Sequence, residues 1–186
     1  ELDQPAFVAM AVEACYKAGA ARVIVDWDYQ PLQKLHVRYR SQKNLGTMED
    51  FEIARLQYRL DKNPAMLYLL SADPDGLKGM NQKKHAKAMQ MRYPVIKTYR
   101  DQMENRYKWC IAAVPGRAWA KKVFPSLSPA AAVERLWQAI LYTSRVIDRD
   151  GQPLDPIAEW DKHNRNFAEK CDKLNALHLT ALQYNA

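Results

Sequence analysis

Three short apolar runs constrain the fold of this chain more than any other feature: Ala21-Arg-Val-Ile-Val-Asp-Trp27, Ala65-Met-Leu-Tyr-Leu-Leu-Ser71 and Tyr107-Lys-Trp-Cys-Ile-Ala-Ala-Val114. Each lacks polar alternation and is too short for a buried helix. They read as strands covered on both faces. Helical stretches separate them. Met48 to Asp61 is amphipathic and closed by Lys-Asn-Pro at 62 to 64, and Asn81 to Asn105 is a second helix, bent or broken near Pro94. Strand, helix, strand predicts a parallel sheet with right-handed crossovers.

Helices bracket this core. Phe7, Met10, Ala11, Ala14, Cys15 and Ala18 recur at three-and-four spacing, with Pro5 in the first turn and Gly19 just past the end. Ser128 and Pro129 cap and open a helix whose Val133, Leu136, Trp137, Ile140 and Leu141 share one face. Asp155 and Pro156 start a longer one with a stripe through Ile157, Trp160, Asn164, Phe167, Cys171 and Leu174. Leu177 to Tyr184 alternates weakly and reads as a final strand, whose open edge calls for a hairpin partner beyond it. The predicted fold is α/β. It has a mostly parallel sheet with flanking helices in a Rossmann-like three-layer arrangement, ending in a long helix and a terminal strand, all in a single domain over 1–186.

With 186 residues, 48% of them hydrophobic, the chain is long enough for one core of domain size. No apolar run spans a bilayer and the start lacks the basic and apolar segments of a secretory signal, so a soluble protein is expected, with no membrane partner. Cys15, Cys110 and Cys171 lie too far apart for a disulfide framework or a short-loop zinc set, and read as small buried hydrophobes of a cytoplasmic protein. The net charge of +7 is concentrated between Lys83 and Lys108, where eight Lys and Arg face only Asp101 and Glu104. Such a window, with Tyr93, Tyr99 and Tyr107, can be a solvated helix face with its tyrosines turned inward. It can also be a surface for RNA or another polyanion; nucleic acid is the less expected partner.

The search for chemistry returns little. His36, His85, His163 and His178 are isolated and no His-Glu-x-x-His occurs. Glu159 and His163, four apart on a helix, fit a surface ion pair better than a metal site. Asp26 and Asp28 flank Trp27 at the end of the first apolar run, where two carboxylates could share a strand face. Gly76 and Gly79 follow the second run in Asp73-Pro-Asp-Gly, which is turn chemistry rather than a phosphate fingerprint. No Gly-x-Ser-x-Gly elbow is present.

One block carries a resemblance. It runs from Trp109 through Val114-Pro-Gly-Arg-Ala-Trp-Ala120 to Val123-Phe-Pro125, then Leu136 and Trp137, then Asp155, Pro156 and Trp160, then Leu174 and Asn175. Ala14 to Val25 adds a helix, a Gly-Ala turn and a run of β-branched residues. In this order the motifs resemble the aminopeptidase T and aminopeptidase S metallopeptidases, also called thermophilic metalloproteases. The resemblance implies a cytoplasmic, homodimeric, two-domain hydrolase that removes N-terminal residues from peptides with two divalent metal ions, zinc, cobalt or magnesium. Their Glu, His and Asp ligands would lie in a C-terminal domain outside these residues. The present chain is then the N-terminal domain, without a catalytic, cofactor-binding or metal-binding residue of its own. It would shape substrate access and carry contacts to its own C-terminal domain or to a second subunit. The family-motif positions Trp109, Pro115, Arg117, Trp119, Ala120, Trp137 and Trp160 are expected to pack or to wall the substrate. The tryptophans favour packing.

Overall fold

In a computed structural model, which describes residues 4–176, the second and third apolar runs pair as parallel strands. Met66–Leu70 (β1) lies in register with Trp109–Ala113 (β2), from Met66 opposite Trp109 to Leu70 opposite Ala113. The crossover between them is the helix Gln82–Met103. The chain falls into two compact units, Glu1–Val133 and Glu134–Ala186.

The first unit opens with α1 (Pro5–Lys17), which has Pro at its start and ends before Gly19, a residue at φ +93 that suits glycine. Next come α2 (Gln30–Tyr39), α3 (Gln42–Gly46) and α4 (Asp50–Lys62). A reciprocal capping box between Glu49 and Glu52 starts α4, and Asn63 ends it in the left-handed region at φ 45. Asn63 also donates from Nδ2 to the Arg106 carbonyl at 2.9 Å, tying the α4–β1 loop to the approach of β2. After β1 come α5 (Gln82–Met103), then β2 and α6 (Arg117–Val123). The helix α7 (Pro129–Thr143) begins in this unit, with the Ser128 hydroxyl accepting from the Ala131 amide. The core of the first unit is small: Val37, Leu45 and Ala88 pack together with Met80 at their margin. α3 and α4 both lie against α5.

In the second unit, α8 (Pro156–Ala176) is capped by Asp155, whose Oδ1 accepts from the amides of Ile157 and Ala158. An antiparallel bridge joins Ile147 to Pro153 before it.

Several expectations are corrected. The run Ala21–Trp27 is not a strand: it has no ladder partner among the described residues, and Ile24 is 61% exposed. Apolar, β-branched composition makes a segment suited to a sheet, but only a neighbouring strand makes it one. The sheet among the described residues therefore has two strands rather than three, and a Rossmann-like three-layer arrangement is not seen. β1 and β2 are also not covered on both faces, with Leu67, Leu70, Trp109 and Ile111 exposed. For the same reason Cys110, on β2, is exposed. Cys15 and Cys171 are half-buried, and all three cysteines are free thiols. α5 runs unbroken through Pro94. Pro94 and Gln90 both face water, so the carbonyl that loses its amide partner can be hydrated. The predicted strand Leu177–Tyr184 lies outside the described residues.

Candidate functional site

Parallel pairing puts the loops that follow β1 and β2 at the same end of the sheet. The loop after β1, Asp73 to Met80, is a chain of turns: the Gly76 amide donates to the Asp73 carbonyl and the Asp75 amide to Asp73 Oδ1. Gln30, at the start of α2, clamps this loop with both ends of its amide. Its Nε2 donates to the Asp73 carbonyl at 3.2 Å and its Oε1 accepts from the Asp73 amide at 3.0 Å. Gly76 lies close beneath it: a Cβ there would sit 2.2 Å from Gln30 Oε1, so a larger residue would push the clamp aside. After β2, the segment Val114-Pro-Gly116 is buried and delivers Arg117 to the same end. The Pro115 carbonyl accepts from Gln4 Nε2 at 2.8 Å.

These loops, with the starts of α2 and α5, enclose a cleft of about 1180 Å³. Five cations line it: Lys34, Arg38, Lys84, Arg117 and Lys121. Two carboxylates, Asp73 and Asp75, also line it, and of these only Asp75 has a cationic partner. Asp73 holds the Asp75 amide, and Asp75 pairs with Lys122 at 2.7 Å, which keeps its carboxyl below the usual range. Lys84 donates to the Val37 carbonyl at 2.6 Å, and Lys121 to those of Pro125 and Leu127. The side chains of Lys34 and Arg117 make no hydrogen bond or ion pair among the described residues.

Of the family-motif positions, only Arg117 lines this cleft. Pro115 and Ala120 are fully buried supports, while Trp119 is half-buried on α6 and Trp109 exposed on β2. Trp137 and Trp160 belong to the second unit. Trp160 is half of a local clamp. Its Nε1 donates to the Ser144 carbonyl at 3.1 Å, its ring lies under the Arg145 guanidinium at 4.9 Å, and His163 meets it edge-on at 5.4 Å. Arg145, at φ 60, donates to His163 Nδ1 at 2.9 Å. The expected Glu159–His163 ion pair does not form; Arg145 takes its place.

The remaining sequence candidates separate. Asp26 pairs with Arg55 and Arg59 of α4, while Asp28 accepts from Gln33, so the two carboxylates do not share a task. In the basic window, Arg92 pairs with Glu52 and Lys97 with Asp101. Arg100 lies over the exposed Tyr93 ring and Arg106 donates to the Gln102 carbonyl, contacts that leave their charge in place, so two of the window's eight cations are paired with carboxylates. Among the described residues no three His, Cys, Asp or Glu converge as metal ligands. The donors present do not fit a dinuclear centre. No described helix is long and apolar enough to cross a membrane.

The lining of Lys34, Lys84 and Lys121 was not legible as a group, because these residues come from three distant stretches. The fold defines an α/β domain with a parallel β-α-β core and a ligand-sized cleft at the carboxyl end of its strands. The chain belongs to the thermophilic metalloprotease family M29, which it matches over residues 1–186. Aminopeptidase PepS of Streptococcus thermophilus is 30% identical over 190 residues, covering 100% of this chain and 44% of that protein. Aminopeptidase AmpS of Bacillus subtilis is 31% identical over 182 residues, covering 97% and 43%. The structure of wild-type AmpT from Thermus thermophilus superposes with a TM-score of 0.75 at 26% identity, covering 95% of this chain and 42% of that one. The chain thus spans less than half the length of the relatives it matches.

Proposed function

We propose that this chain is the N-terminal domain of a metal-dependent aminopeptidase, a hydrolase that removes N-terminal residues from peptides, and that it is the non-catalytic part of that enzyme. The observation that carries the reading is the match of the whole chain to a metalloprotease family whose aminopeptidase members are more than twice its length. Two divalent ions, zinc, cobalt or magnesium, would be held by Glu, His and Asp side chains of a C-terminal domain. The exposed apolar side chains of β1, β2 and the 21–27 segment support it too, since patches of that kind mark surface made for contact. The domain would wall the peptide site, meet its C-terminal partner domain and contribute to a homodimer in the cytoplasm. The test is hydrolysis of leucine anilide by the polypeptide that joins this chain to the remaining span of its relatives, with and without a chelator. Turnover abolished by the chelator and restored by a divalent ion is expected. Absence of turnover with every divalent ion added overturns the reading.

A further inference from the structure

The cleft at the carboxyl end of β1 and β2 carries positive charge that the protein itself does not neutralise. Lys34 and Arg117 come from different elements, α2 and the start of α6, yet line the same space. Both side chains lack a hydrogen-bonding or ionic partner among the described residues. Lys34 is half-buried. Lys84 and Lys121 bond only to neutral carbonyls and keep their charge. The one carboxylate of the lining with a cationic partner takes it from Lys122, which does not line the cleft. The starts of α2 and α5, at Gln30 and Asn81, add the positive ends of two helices to the same wall. An excess of cations in a cleft is a standing preference for an anion. Arg117 can meet a carboxylate or phosphate with two parallel N–H donors.

The geometry points to an oxyanion-binding site that seats the terminal carboxylate of a short peptide on Arg117 and Lys34, with the peptide's side chains on Pro31, Leu35 and Met80. The peptide as ligand rests on the aminopeptidase reading; the preference for an anion does not. A volume of about 1180 Å³ exceeds that of drug-sized ligand pockets, about 300–1,000 Å³, and admits several residues. A site that anchors the far end of its substrate selects short peptides with a free carboxyl terminus over amidated or long ones.

Isothermal titration of the 186-residue chain with Leu-Gly-Gly, with its C-terminal amide and with inorganic phosphate tests this. The free acid binds about tenfold or more tightly than the amide, and phosphate competes with it. Arg117→Met and Lys34→Met each weaken the acid by about tenfold and leave the amide unchanged. Neither side chain holds any part of the fold, and an unaltered melting curve for each variant verifies that. Equal binding of acid and amide overturns the assignment, as does phosphate binding without peptide binding. Binding of none of the three overturns the site altogether. Leucine anilide has no carboxylate, so its turnover by the longer polypeptide succeeds or fails independently of this cleft.

Discussion

Arg92 is the side chain whose loss the first unit should feel most. It leaves the middle of α5 and reaches Glu52 in the first turn of α4, and its Nη1 donates to the Thr47 carbonyl at 3.1 Å. Only 16% of the Arg92 side chain and 26% of the Glu52 side chain are exposed, so solvent screens this pair less than a surface one. Replacing Arg92 by Met keeps most of the stem and removes the guanidinium. The charged bond to Glu52 is worth about 1.5–3 kcal/mol and the bond to Thr47 about 0.5–1.5 kcal/mol. The Leu45 carbonyl, at 3.4 Å, adds little. The expected cost is about 2–4 kcal/mol, or a fall in Tm on the order of 10 °C. Glu52→Gln separates charge from shape: the amide oxygen can still accept the Glu49 amide hydrogen that the capping box uses, so the cost falls to about 1–2 kcal/mol. It also gives a pH signature. The hydrogen bond from Arg92 holds the Glu52 carboxyl below the usual range. Its stabilisation is then full above the pKa of an unfolded glutamate and is lost as pH falls through the depressed folded value. Urea unfolding followed by circular dichroism should show wild type above Glu52→Gln at neutral pH and the two converging in acid. A gap of the same size at pH 7 and at pH 3 would refute the assignment of this stability to the charged pair.

Two further substitutions probe the supports of the cleft and of the small core. At Gly46, on the last turn of α3, a Cβ would lie 2.6 Å from Met91 Sδ and 2.9 Å from Met91 Cβ. The sulfur can swing aside but the Cβ cannot, so Gly46→Ala should cost about 1–3 kcal/mol in thermal unfolding; a neutral result would show that α3 and α5 are not in close contact there. Gln30→Ala removes both bonds to Asp73 and should speed hydrogen exchange of the Asp73 amide about tenfold, with unchanged exchange in β1 and β2. Uniform acceleration across the sheet would mean that Gln30 holds the fold rather than the loop.

Local signals in the sequence placed the helices well and the sheet poorly. Pro5 and Gly19 bound α1, Lys-Asn-Pro closes α4, and Asp155 caps α8, because helix ends are written in the residues that satisfy them. α2, α3 and α6 have no counterpart in the sequence reading. Pro31 marks the start of α2, but α3 is only 5 residues long, shorter than two turns of any periodic pattern. A ladder, by contrast, depends on a neighbour that composition cannot name. Ile24 and Val25 have the same character as Leu69 and Ile111, yet only the latter two belong to paired strands. The motif tryptophans were legible as family markers but not as a site, since Trp160 serves a clamp around Arg145 and Trp109 lies far along β2 from the cleft loops.

The same distinction decides where the functional charge lies. Counting Lys and Arg along the sequence picks out residues 83–108, and the count is correct, but it cannot tell which cations already have partners. Arg92 is bound to Glu52 and Lys97 to Asp101, and such pairs present a much weaker field to a ligand than their number suggests. Lys34 and Arg117 lie 83 positions apart and look unremarkable in any window. Parallel pairing of β1 with β2 brings the α2 clamp, the Asp73–Met80 loop and the start of α6 to one end of the sheet. An antiparallel pair would send the chain out of β2 at the opposite end, and Arg117 with it. The anion-seeking surface of this domain is therefore a consequence of topology.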